Sequence, residues 1–345
     1  MTHSNALTQA IALHQQGDLQ TAYALYEAIL SEDGNHLQVL CLSGSIAQHY
    51  GDLSKAIQLF TRAHQLSPSQ ASICLQLGIC YTNLGELELA NQFYKQCTAL
   101  NPSQIESIVN LANNLTKQNQ FQEAYELYKK ALLISPLSSI VHYNIGSLFL
   151  KSMKPQEAKV WLTKSLEIKD DYASAWNSLG VALTELGQLQ EGLSAYTRAI
   201  ECDPGFEEPL FNSHTVHIDL GNHQAAITAL EKVCALDPQN PTYSFFLGMV
   251  REYFKKTNSD VSPLNLLSTN PAIQAELESW SYLKSQHPSA QLIGSNTKTI
   301  ELALSQANLD GLVLEFGVYN GKSIRNIAAL VKGEVHGFDS FEGIP

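Results

Sequence analysis

No apolar stretch of the chain approaches the length needed to cross a bilayer, and only 16% of its 345 residues are charged. The opening MTHSNALTQAIALHQQGD lacks both a basic flank and a continuous apolar segment, so it does not read as a signal peptide. No membrane association and a cytoplasmic location are therefore expected. Basic residues are scarce: 21 Lys and Arg face 33 Asp and Glu, for a net charge of -12. No cluster of Lys or Arg offsets that balance, and a phosphate backbone would be repelled, which argues against general nucleic-acid binding. Six cysteines (Cys41, Cys74, Cys80, Cys97, Cys202 and Cys234) form no CxxC or CxH pair. Their scatter fits apolar filling between helices better than a disulfide framework or a zinc site. With 44% hydrophobic residues the chain can bury a large core, which excludes a disordered tail.

What is present is a clock. Pro68, Pro102, Pro136, Pro204 and Pro238 fall on one 34-residue interval, with Asp170 in the gap and Gly34 extending the series backwards. Small residues keep the same interval at Ala22, Ala56, Ala90, Ala124, Ala158, Gly192 and Ala226. Aromatics follow four positions later at Tyr26, Phe60, Tyr94, Tyr128 and Tyr196, on the same helix face. A second small series, Ala10, Gly44, Gly78, Ala112, Gly146 and Gly180, lies in the preceding helix and lets two antiparallel helices approach. Gly17, Gly51, Gly85, Gly187 and Gly221 stand between the two helices, where a left-handed helix end is needed.

This 34-residue pattern resembles the tetratricopeptide repeat (TPR) over residues 4 to about 256. Counting from His3 gives seven units ending at Asn240. PTYSFFLGMVREYFKK then reads as an eighth first-helix that caps the stack. The resemblance implies a mostly α chain, a right-handed TPR solenoid, that holds a peptide or partner protein on a concave groove lined by the first helices. The sixth position of successive units reads Gln76, Asn110, Asn144, Ser178 and Asn212, with Asn177, Asn113, Thr82, Thr116 and Asn83 nearby. Amides both donate and accept, so such a row can bond an extended peptide backbone. It is similar to the asparagine ladder of the TPR arm of O-linked N-acetylglucosamine transferases. The alternative, that these side chains satisfy groups within each repeat, stays open. A carboxylate clamp would need more inward cations than Lys117 and Lys151. Phe211 and Phe245 could anchor an apolar side chain or pack against the segment that follows the repeats.

After residue 256 the composition changes. Residues 257–296 read as a linker with one helical stretch, AIQAELESWSYLKSQ. Residues 297–345 read as helix, strand GLVLEFGV, turn, helix and strand EVHGFDSF, a β-α-β segment. LEFGVYNGKSIRNIA followed by VHGFDSFEGIP resembles the start of class I S-adenosylmethionine-dependent methyltransferases, specifically the macrocin O-methyltransferase family. That resemblance implies cofactor contacts from Glu315, Gly317, Tyr319, Gly321 and Asp339, the last an acid placed for ribose hydroxyls. Tyr319 stands where the wider family carries glycine. A β-α-β unit is an incomplete Rossmann-like domain and cannot bury both faces of a sheet. The chain alone is therefore expected to be inactive and to hold no cofactor, as the N-terminal part of a TPR–methyltransferase fusion. No catalytic or metal-ligating residue can be assigned.

Overall fold

Each helix break falls where a residue can leave the right-handed conformation. In the computed structural model, which describes residues 3–255, 271–274, 277–278, 281, 285, 313–316 and 335–338, fifteen α-helices follow one another. They are α1 (His3–Gln15), α2 (Leu19–Glu32), α3 (Leu37–His49), α4 (Leu53–Leu66), α5 (Ala71–Asn83), α6 (Leu87–Leu100), α7 (Ile105–Lys117) and α8 (Phe121–Ile134). Then come α9 (Ser139–Lys151), α10 (Pro155–Ile168), α11 (Ala173–Glu185), α12 (Leu189–Cys202), α13 (Glu207–Asp219), α14 (His223–Leu236) and α15 (Pro241–Lys255). From α1 to α14 they alternate between first helices of 13 residues and second helices of 14. The chain divides into two compact units, Met1–Asn144 and Ile145–Pro345.

The turn within each pair is the same in both units. Gly17, Gly51, Gly85, Gly187 and Gly221 have φ between +74° and +86°. Asn119 (φ +61°) and Met153 (φ +60°) complete the series, two positions at which the spacing alone showed no glycine. The next residue donates its backbone N–H to the carbonyl five positions back, from Asp18 to Leu13 through Asn222 to His217, at 2.8–3.0 Å. This closes a Schellman motif and satisfies carbonyls that the helix end would otherwise orphan. Asp18 and Asp52 then cap α2 and α4 by accepting from the N–H of Thr21 and Lys55.

Within pairs, the first helix gives up its side chain to the large residue of the second. A Cβ added at Gly78 would lie 2.5 Å from the Tyr94 ring, and one at Gly180 equally close to Tyr196. Gly44 faces Phe60 in the same way, and Gly146 faces Leu162. The seventh pair departs from the arrangement: His214 stands in the small position opposite Leu230 in the large one, both buried. Where the cap was expected, α15 packs on α14. Phe245 of α15 is buried with Ile273, which lies in a 3-10 turn (Pro271–Ile273). Phe211 packs against the rings of Tyr243 and Phe246, centroids 5.0 and 5.4 Å away. Both phenylalanines are thus spent on the end of the helical stack and the segment after it, not left as anchors for a ligand. The cysteines are unpaired thiols, and burial pushes the Cys80 thiol up to about 11.

Two short strands, β1 (Val313–Phe316) and β2 (Val335–Phe338), pair in parallel with Val313 opposite Val335 and Glu315 opposite Gly337. The helix expected between them lies outside the described residues, as do Gly317, Tyr319, Gly321 and Asp339.

Candidate functional site

A row of amides and hydroxyls recurs along the first helices at the repeat interval. In the first unit, Gln76 on α5, Asn110 on α7 and Asn144 on α9 are half-buried. Asn110 bonds the Tyr94 hydroxyl, which also lies 3.1 Å from Thr82 Oγ1. Asn114, fully buried, donates to the same Thr82 oxygen at 2.9 Å. One repeat later, the Tyr128 hydroxyl donates to Asn113 Oδ1 at 2.5 Å and also bonds Thr116. Gln76 makes no side-chain hydrogen bond to another described residue.

In the second unit, Asn212 on α13 donates through Nδ2 to Asn177 Oδ1 on α11 at 3.1 Å. The pair ties one first helix to the next. Ser178 is half-buried on α11, and Thr184 bonds the Tyr196 hydroxyl.

A rule emerges that the spacing had not revealed. Each inward-packed tyrosine finds a polar partner twelve positions earlier: His14 for Tyr26, Thr82 for Tyr94, Thr116 for Tyr128 and Thr184 for Tyr196. Where the large residue lacks a hydroxyl, the matching residue is Leu150 for Leu162, Ile218 for Leu230 and Gln48 for Phe60. A buried phenol without a partner would cost the desolvation of its oxygen, so each of these tyrosines is matched by a polar residue. Burial accordingly pushes Tyr94, Tyr128 and Tyr196 up to about 12. Part of the amide row is therefore occupied in holding these rings. An amide has two donors and an acceptor oxygen, so one internal bond leaves capacity toward solvent.

Lys117 ends α7 and Lys151 ends α9, in different units. Glu315 lies on β1; of the five residues that the methyltransferase resemblance named, it alone is among the described ones.

Four family models described as tetratricopeptide repeat match the chain, over residues 47–115, 105–135, 154–205 and 215–240. No curated protein matches it in sequence. Among solved structures, a tetratricopeptide repeat protein from Parabacteroides merdae is 14% identical with a TM-score of 0.62, over 72% of this chain and 98% of that one. PilF of Pseudomonas aeruginosa is 20% identical with a TM-score of 0.52, over 61% and 96%. A chain of the APC/C hetero-tetramer Cut9-Hcn1 is 16% identical with a TM-score of 0.55, over 80% and 55%. These likenesses are of fold. Among the described residues, no helix is long and apolar enough to cross a membrane.

Proposed function

Because the chain is a tetratricopeptide-repeat protein, we propose that it is a protein–protein interaction scaffold that holds a peptide or partner protein against the first helices of its repeats. The observation that carries this reading is the row of half-exposed amides, Gln76, Asn110 and Asn144 in one unit and Asn177 and Asn212 in the other. Their spare donors and acceptors suit an extended backbone, which offers one N–H and one C=O per residue. Such a row binds with little regard to side-chain sequence.

Affinity capture with the full chain tests it, beside a variant carrying Asn110→Ala, Asn144→Ala and Asn212→Ala. Loss of one or more captured partners is the expected result. An unchanged set of partners, with the variant folded, sinks the amide row as the binding surface.

The parallel pairing of β1 with β2 favours a second reading, that residues 297–345 open the doubly wound sheet of an O-methyltransferase. In that reading Glu315, Gly317, Tyr319, Gly321 and Asp339 receive S-adenosylmethionine, and the repeats at 1–256 recruit the methyl acceptor across the linker at 257–296. The reading frame provides the test. A product continuing for about 150 residues, the size of a domain, that takes up S-adenosylmethionine and loses it in Asp339→Ala carries this reading. A frame that closes at Pro345 removes it.

A further inference from the structure

Second helices of successive repeats leave a groove between them, floored by the first helix that packs on both. Between α4 and α6, over α5, the chain fills this groove itself. Phe93 of α6 stacks on Tyr81 of α5, with centroids 5.6 Å apart and planes 3° from parallel. It meets His64 of α4 edge-on at 6.0 Å. His64 is held in turn by Gln96 and by the Cys74 thiol.

Four repeat lengths later the same template is left unfilled. Ala229 stands in the place of Phe93, Ala225 in that of Leu89, Ile200 in that of His64 and His217 in that of Tyr81. The result is a groove of about 990 Å³ between α12 and α14, over α13. Its walls are mostly apolar: Ile200, Leu210, Ala225 and Ala229 line it, and His217 gives the floor a flat ring. The His217 Nδ1 is buried without a hydrogen-bond partner, and burial lowers the ring's pKa. At the rim, Arg198 holds Glu201 at 2.6 Å, which neutralises that carboxylate. Lys232, in the place of Gln96, is exposed and has no partner among the described residues.

We propose that the groove between α12 and α14 receives an aromatic side chain from a partner polypeptide, with an acidic residue beside it for Lys232. The occupant's chemistry is argued from the molecule, since the α4–α6 groove shows what completes this template: a ring laid on the floor residue at Tyr81 or His217. Charge complementarity adds the acid, because the unneutralised charge at the rim is the Lys232 ammonium. The rim residues Thr197, Glu201 and Lys232 are solvent-exposed, so the trough is reached from solvent at its rim, while Leu210 and Ala229 lie buried within it. A free small molecule, which typically buries 70–90% of its surface in a pocket, is served less well there than a side chain anchored to its own backbone. This surface lies apart from the amide row and does not rest on it.

A phage-displayed library of short peptides, panned against the full chain and followed by fluorescence anisotropy on the enriched sequences, tests the proposal. Enriched peptides should share a Phe, Tyr or Trp with Asp or Glu close by. Ala229→Phe, which copies the internal solution, should weaken them at least about tenfold, as loss of an anchor pocket does. Lys232→Glu should weaken them less, and the triple asparagine variant should leave them unchanged. Circular dichroism establishes that Ala229→Phe is folded; if it is not, Ala225→Leu at the half-exposed edge of the groove carries the same arm. Enriched peptides without an aromatic residue, or peptides that bind both filled variants as tightly as the parent, overturn the proposal. So does binding of indole or palmitate with no peptide binding, which would make the groove a small-molecule pocket. Binding lost in the triple asparagine variant but kept in Ala229→Phe assigns the peptides to the amide row instead and equally overturns it.

Discussion

The groove between α4 and α6 and its counterpart between α12 and α14 are two outcomes of one repeat. Backbone turns and helix lengths are shared, and the small-against-large contact is kept at Gly44, Gly78 and Gly180, while the seventh pair has His214 and Leu230 instead. Side chains at the groove differ as well, and alanine at 229 in the place of Phe93 leaves the second groove unfilled. A repeat fold can thus keep its scaffold constant while side chains on the outer face create or erase a binding surface.

Opening the first groove should have the largest effect. Phe93→Ala removes a half-buried ring with its stacking on Tyr81, and should lower stability by about 2–3 kcal/mol in urea unfolding, somewhat below the usual Phe→Ala cost because the ring is not fully buried. The converse Ala229→Phe should change stability by less than about 1 kcal/mol, since it fills space that is already there. Equal and large losses in both would mean that the two grooves are not equivalent.

A pH difference sharpens the comparison. At the seat where Gly78 packs on Tyr94 in the first unit, the second unit has His214, buried and with a pKa lowered to about 4 by desolvation. Its ring is bonded to the Phe211 carbonyl. Between pH 6.5 and about 4 the unfolded chain binds a proton there that the folded chain does not. Stability is therefore complete above about pH 6.5 and falls as the pH falls, by roughly 2 kcal/mol at pH 5. His214→Gln should flatten the dependence of the unfolding midpoint on pH in this window; an unaltered slope would rule out His214 as its source.

The smallest expected effect concerns the turns. Asn119 and Met153 hold the left-handed conformation that glycine holds elsewhere in the series. Asparagine tolerates it through its short polar side chain, whereas methionine does so only under strain. Met153→Gly should raise the melting temperature by the equivalent of about 0.5–1 kcal/mol, and Asn119→Gly by less. A loss in both would show that side-chain packing, not backbone strain, decides those turns.

These contrasts also measure what could be read from residue order. Helix pairs and most of their turns were legible, because each depends on a residue type recurring at a fixed interval: Gly44 before Phe60, Gly78 before Tyr94, Gly17 and Gly51 at the turns. Asn119 and Met153 were not, since the backbone there is imposed by the flanking helices against the residue's own preference. The amide row was legible as positions. Its internal bonding was not, because Tyr94 of α6 and Tyr128 of α8 meet their amides, Asn110 and Asn113, on α7 at two different positions of the repeat. The α12–α14 groove was hidden for a different reason: Ala225 and Ala229 look like ordinary helix formers, and what matters about them is the side chain they omit. β1 and β2 showed as apolar segments, and the residues around them that the methyltransferase resemblance named lie outside the described ones.

The evenly spaced turns have a consequence for how such a chain changes over generations. Recombination between any two of them adds or deletes a whole number of helix pairs and keeps first and second helices alternating in register. A slip of a single residue would instead rotate every later helix by about 100° and turn polar side chains into the core. Length can therefore drift in modules, while substitutions such as those at Ala225 and Ala229 revise the surface of one module at a time.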